Sequence, residues 1–136
     1  MSELENAKAP LKILIVEDEK TVRGLLSDIF SFEGYSVVQA QEGNEALRLL
    51  EEDDFDVVLT DLGLPGVSGW QVAKKVKEKD SQKVVIIISG WGATLERDKL
   101  GIDYALPKPF DIAEVQKLFR EIARKIEAKK PSSPND

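Results

Sequence analysis

Val57-Val58-Leu59-Thr60-Asp61, followed at once by Leu62-Gly63-Leu64-Pro65-Gly66, is the stretch on which the fold turns. Consecutive apolar residues suit a strand covered on both faces, and strands of that kind belong to parallel sheets. The acid at its end stands just before a Gly- and Pro-rich turn. Two other runs read the same way: Leu11-Lys12-Ile13-Leu14-Ile15-Val16 before it, and Val84-Val85-Ile86-Ile87-Ile88 after it. Val37-Val38, flanked by Ser36 and Gln39, suits a more exposed strand. Tyr104 to Leu106 is short and runs into Pro107, which cannot donate to a ladder and so points to a sheet edge.

The segments between these runs carry a helical period. Val22, Leu25, Leu26 and Ile29 fall on one face, as do Ala46, Leu47 and Leu50, and Val72, Ala73 and Val76 make a narrower stripe. The clearest helix holds Val115, Leu118, Phe119, Ile122 and Ile126 at i, i+3, i+4, i+7 and i+11. Only Ala93 to Leu100, between Gly92 and Gly101, is available for a fourth helix before it. Parallel strands need such crossovers. The expected fold is therefore α/β, a doubly wound five-stranded parallel sheet with flavodoxin-like strand order 2-1-3-4-5. A single domain spans 11–130, with 1–10 a flexible arm and 131–136 a disordered tail or linker start.

At 136 residues, 42% of them apolar, the chain supplies one well-buried core. It has neither cysteine nor histidine. That removes thiolate and imidazole metal sites, cysteine nucleophiles, Ser-His triads and any histidine phospho-donor. The chemistry left uses carboxylates, hydroxyls, lysine or a hard cation. With 25 acidic against 19 basic residues the net charge is -6, which argues against direct nucleic-acid binding. The basic residues Arg120, Arg124, Lys125, Lys129 and Lys130 complement a helix C-terminus. No apolar run is long enough for a bilayer and no signal-peptide pattern follows Met1, so a cytoplasmic protein without membrane contact is expected.

In doubly wound sheets ligands sit beyond the carboxyl ends of the strands. Glu17-Asp18-Glu19 follows the first run, Asp61 ends the third, Ser89-Gly90 ends the fourth, and Lys108-Pro109-Phe110 follows the fifth. Each has an ordinary explanation in isolation. Acids favour a helix start, Asp, Pro and Gly make turns, and a lysine is usually a solvated charge. Four of them after four strands in this order make a site. Crowded carboxylates need a compensating cation or a raised pKa, and oxygen donors alone favour Mg²⁺. Asp61 would then be a carboxylate nucleophile giving an aspartyl-phosphate, with Lys108 and the Ser89 hydroxyl on the remaining phosphoryl oxygens.

This ordered set, with Leu64-Pro65-Gly66 and Gly69 after Asp61, resembles the response-regulator receiver domains of two-component signalling, over roughly residues 11–130. The resemblance implies that Asp61 is the phosphoacceptor and that Asp18 binds Mg²⁺ directly. Glu17 binds it through water, and the Gly63 carbonyl is a further ligand. It also implies that Ser89 and Lys108 contact the phosphoryl group and that Lys108-Pro109 is cis. The partners implied are a histidine kinase or histidine phosphotransfer protein, which supplies the phosphoryl group, and a downstream protein target.

Several positions vary from the family pattern. Glu17 stands where Asp or Glu is found, and Ser89 replaces the commoner Thr. Ala105 stands three before Lys108, where many receivers carry Tyr or Phe, and neighbouring Tyr104 points to the opposite face. The stretch from Ser89 to Lys108 is a few residues short. A switch routed through Ser89 and the Gly90-Trp91-Gly92 loop, with Trp91 as reporter, is the reading these departures favour. Two other functions compete. One is a phosphorylation-independent interaction module on the same fold. The other is a dehalogenase-type hydrolase, which wants Asp-x-Asp where Glu17-Asp18-Glu19 stands.

Overall fold

The computed structural model describes residues 10–89 and 102–129. Within them run β1 (Lys12–Val16), α1 (Lys20–Phe32), β2 (Ser36–Ala40), α2 (Gly43–Glu52), β3 (Val57–Asp61), α3 (Gly69–Lys79), β4 (Val84–Ser89), β5 (Tyr104–Pro107) and α4 (Ile112–Lys129). The strands form one sheet in the order β2-β1-β3-β4-β5, and every neighbouring pair is parallel. This is the doubly wound order expected from the sequence. The helix read at Ala93 to Leu100, the Trp91 loop, the tail and all but Pro10 of the N-terminal arm lie outside the described residues.

Side-chain alternation along the central strands builds two cores. Leu14, Val16, Val58, Val85 and Ile87 pack with Ala46 and Leu50 of α2 and with Val72, Ala73 and Val76 of α3. Their neighbours Ile13, Ile15, Val57, Leu59, Ile86 and Ile88 pack with Leu26 and Phe30 of α1 and with Val115, Phe119 and Ile122 of α4. Each such side chain stabilises the fold by roughly 1.5–3 kcal/mol relative to exposure. The edge strands are less covered: Val37 and Val38 are half-buried, and Tyr104 and Ala105 likewise.

One helix sits differently from its sequence pattern. On α1 the buried residues are Arg23, Leu26, Ser27, Ile29 and Phe30, while Leu25 is 40% exposed. The buried arc is rotated because two polar residues lie inside it. This helix ends at Gly34, whose φ of 95° is open to glycine at little cost. There the Gly34 and Tyr35 amides donate to the Ser31 and Phe30 carbonyls. α3 begins with a capping box. Ser68 Oγ accepts from the Gln71 amide, and Gln71 Oε1 accepts from the Ser68 amide.

Candidate functional site

Parallel register brings the strand ends together. Val16 pairs with Thr60, Asp61 with Ile88, and Ser89 with Pro107, so Glu17, Asp18, Asp61, Ser89 and Lys108 emerge along one edge of the sheet. The Leu62 amide donates to the Ile88 carbonyl at 3.3 Å, which carries the β3–β4 pairing one residue past Asp61. The first residue of α3 then packs against this backbone. A Cβ at Gly69 would lie 2.0 Å from the Asp61 carbonyl oxygen, so only glycine fits there.

The carboxylates of Glu17, Asp18 and Asp61 each place an oxygen within 4.8 Å of the others. Asp18 is exposed, Asp61 is 8% exposed and Glu17 is fully buried. Asp61 Oδ1 accepts from the Gly63 amide at 2.9 Å, and Oδ2 accepts from Lys108 Nζ at 2.7 Å. Glu17 Oε2 accepts from the Glu19 amide at 3.1 Å. Its Oε1 lies 3.1 Å from Lys108 Nζ, without the angle of a hydrogen bond, and is a buried oxygen with no hydrogen-bond partner among the described residues. Lys108 is anchored by its own amide, which donates to the Ser89 carbonyl at 2.9 Å. The Lys108-Pro109 peptide is cis.

One ammonium thus faces two buried acids. Burial, reinforced by the neighbouring Asp61, pushes the Glu17 carboxyl up from 4.5 to about 7, against the pull of the Glu19 amide and Lys108. Burial also disfavours ionised Asp61, but the hydrogen bonds from Lys108 and Gly63, with the neighbouring Glu17 carboxyl, outweigh it and hold Asp61 below the usual value. Lys108 loses hydration, yet its hydrogen bond to Asp61 and its ion pair with Glu17 raise its pKa. The cluster favours a compact cation. Its donors are oxygens, it carries more negative than positive charge, and one buried oxygen has no hydrogen-bond partner. Those are the properties of a hard divalent-ion site.

The response regulator receiver domain family model matches residues 13–120. The chain belongs to the response regulator receiver family. This receiver is 38% identical to sporulation initiation phosphotransferase F of Bacillus subtilis (strain 168) over 108 residues, 77% of this chain and 87% of that protein. It is 34% identical to the transcriptional regulatory protein CpxR of Escherichia coli (strain K12) over 128 residues, 92% of this chain and 54% of CpxR. The receiver therefore spans most of the first relative and about half of the second. Among solved structures it is similar to the chemotaxis response regulator CheY4 of Vibrio cholerae. That match has a TM-score of 0.77 and 26% identity, and covers 84% of this chain and 99% of that one. It is also similar to the receiver domain of the response regulator AraT from Geobacillus stearothermophilus. Here the TM-score is 0.81 and the identity 28%, over 89% and 98% of the two chains.

Glu17, Asp18, Asp61, Gly63, Ser89 and Lys108, singled out in the sequence, all lie at this edge of the receiver. Gly63 is exposed beside Asp61, and Ser89 is half-buried at the end of β4. Tyr104 packs on the α1–α4 side, with Lys125 Nζ 5.6 Å from its ring centroid, and Ala105 takes the opposite face of the sheet. One residue at this edge was not legible as a site residue. Arg23, 8% exposed, donates through Nη1 to the Glu17 carbonyl at 2.8 Å. The signal available was an arginine set between Val22 and Leu26 inside an apolar stripe.

Proposed function

We propose that Asp61 accepts a phosphoryl group from a phosphohistidine on a partner histidine kinase or histidine phosphotransfer protein. The observation that supports this reading best is the Lys108 ammonium 2.7 Å from Asp61 inside a cluster of three carboxylates. In the transfer, the phosphorus–nitrogen bond of the partner breaks and a phosphorus–oxygen bond to the Asp61 carboxylate forms. The imidazole nitrogen leaves with the electron pair. Asp18, Asp61 and the Gly63 carbonyl would hold Mg²⁺ directly and Glu17 through water. A bound Mg²⁺ supplies neutralisation of the charge on the transferring group.

Lys108 and the Ser89 hydroxyl bind phosphoryl oxygens in this reading. Before transfer, Lys108 keeps Asp61 ionised, hence nucleophilic, and partly offsets the repulsion between Asp61 and Glu17. The phosphorylated site then alters the Ser89–Trp91 loop and the output face for a downstream protein. A net charge of -6 supports a protein target over nucleic acid. No helix of the described residues is long and apolar enough to cross a membrane, and the setting proposed is the cytoplasm.

The test is incubation with Mg²⁺ and either acetyl phosphate or a phosphorylated histidine protein, read by intact-mass spectrometry. Wild type gains a phosphoryl adduct that EDTA prevents, and Asp61→Asn gains none. An unmodified wild type with every donor would sink the proposal and leave the interaction module standing.

A further inference from the structure

A buried arginine needs an explanation, because removing a charge from water is expensive unless its donors find good acceptors. Arg23 of α1 is 8% exposed, and none of its described partners is a carboxylate. Its Nη1 donates to the Glu17 carbonyl at 2.8 Å, and its Nε donates to Gln39 Oε1 on β2 at 3.3 Å. Gln39 Nε2 in turn donates to Ser27 Oγ, one turn further along α1, at 3.1 Å. The planar guanidinium therefore bridges three elements: the end of β1, the edge strand β2 and its own helix.

The carbonyl it grips belongs to the peptide that joins Glu17 to Asp18. That peptide carries two of the three acids of the cluster. The groups on either side are also held: the Glu17 amide, on the preceding peptide, donates across to the Ala40 carbonyl of β2 at 3.1 Å, and the Glu17 carboxylate accepts from the Glu19 amide. We infer that Arg23 is a positioning residue for divalent-cation binding, fixing the plane of the Glu17–Asp18 peptide so that both acids face Asp61. This inference rests on the proposed Mg²⁺-dependent reading of the site.

Groups that hold and orient metal ligands typically change affinity 10–100-fold when lost. The experiment is calorimetric titration of Mg²⁺ into the full chain at pH 8, with thermal melts in EDTA alongside. Arg23→Met keeps much of the apolar stem but loses the donors, and a Mg²⁺ dissociation constant about tenfold weaker is expected. Arg23→Lys, with one donor able to reach the carbonyl, should recover part of that loss. Gln39→Leu, at an exposed position, removes the brace on Nε and should weaken binding about threefold; it carries the test if Arg23→Met does not fold. A merely structural arginine would lower the EDTA melting temperature and leave the dissociation constant of the folded variants unchanged. That result overturns the inference. Failure of wild type itself to bind Mg²⁺ would instead overturn the underlying reading.

Discussion

Acids and lysines cluster at both ends of the sheet, yet the two ends are built on different principles. At the amino ends, Asp56 Oδ2 accepts from the Lys12 amide at 2.8 Å. Asp103 Oδ2 accepts from the Val85 amide at 2.9 Å and from Lys77 Nζ at 2.7 Å. Lys77 also donates to the Lys83 carbonyl. These carboxylates tie strand starts to neighbours, and each meets backbone amides as well as any lysine. A cavity of about 280 Å³ beside them, lined by Asp56, Asp80, Lys83, Tyr104 and Lys125 among others, has charges of both signs. At the carboxyl ends, among the described residues, one lysine serves two buried acids, a third acid stands alongside, and a buried oxygen goes without a hydrogen bond. Acid content alone does not mark a site. A deficit of compensation does.

The contrast breaks most visibly if an acid at each end is removed. Asp61→Asn should reduce phosphoryl uptake to background in the intact-mass assay. Asp103→Ala should leave uptake within about twofold and cost roughly 1–3 kcal/mol of stability in urea unfolding, because Lys77 and the Val85 amide lose an acceptor. Next in size, Lys108→Ala should slow uptake from acetyl phosphate by about 10²–10³-fold, the usual effect of losing one charge-stabilising donor.

Gly69→Ala tests the carboxyl end through its backbone. Its new Cβ would collide with the Asp61 carbonyl, and overpacking of that kind costs about 1–3 kcal/mol. Unfolding midpoint and phosphoryl uptake should fall together. The last test is a pH dependence. Glu17 titrates near 7 in the folded chain against an ordinary 4.5, so the folded state binds the proton more tightly than the unfolded one. The stabilisation this gives is complete below about pH 4.5 and is lost as pH rises to about 7. It amounts to a few kcal/mol at most, since each pH unit between the folded and unfolded values is worth about 1.4 kcal/mol. Asp61, held below 3.8, acts in the opposite sense in more acidic solution. In EDTA the urea midpoint should therefore fall between pH 5 and 7.5, and Mg²⁺ should restore more of it at the higher pH.

Most of this architecture was legible in the chain because central parallel strands are apolar on both faces. Val57 to Leu59 and Val84 to Ile88 could be nothing narrower, and Asp61, Ser89 and Lys108 acquire meaning only from their places at the strand ends. Where polar residues are buried, the pattern misleads. Arg23 and Ser27 occupy the inner face of α1, so counting apolar residues placed Leu25 there instead. Spacing also cannot foresee that Gly69, eight residues after Asp61, rests on its carbonyl, or that one ammonium is divided between acids 44 residues apart in the chain.

The strand order has a consequence for the identity of the residue at 108. β4 lies between β3 and β5, so the cation rooted beyond β5 must cross a whole strand's width, two inter-strand steps of about 4.8 Å, to touch Asp61. A long flexible stem ending in a compact charge meets that demand, and a small side chain at Ser89 leaves its path open. Topology has thus chosen the reach of the amine, and with it the size of the residue it passes over.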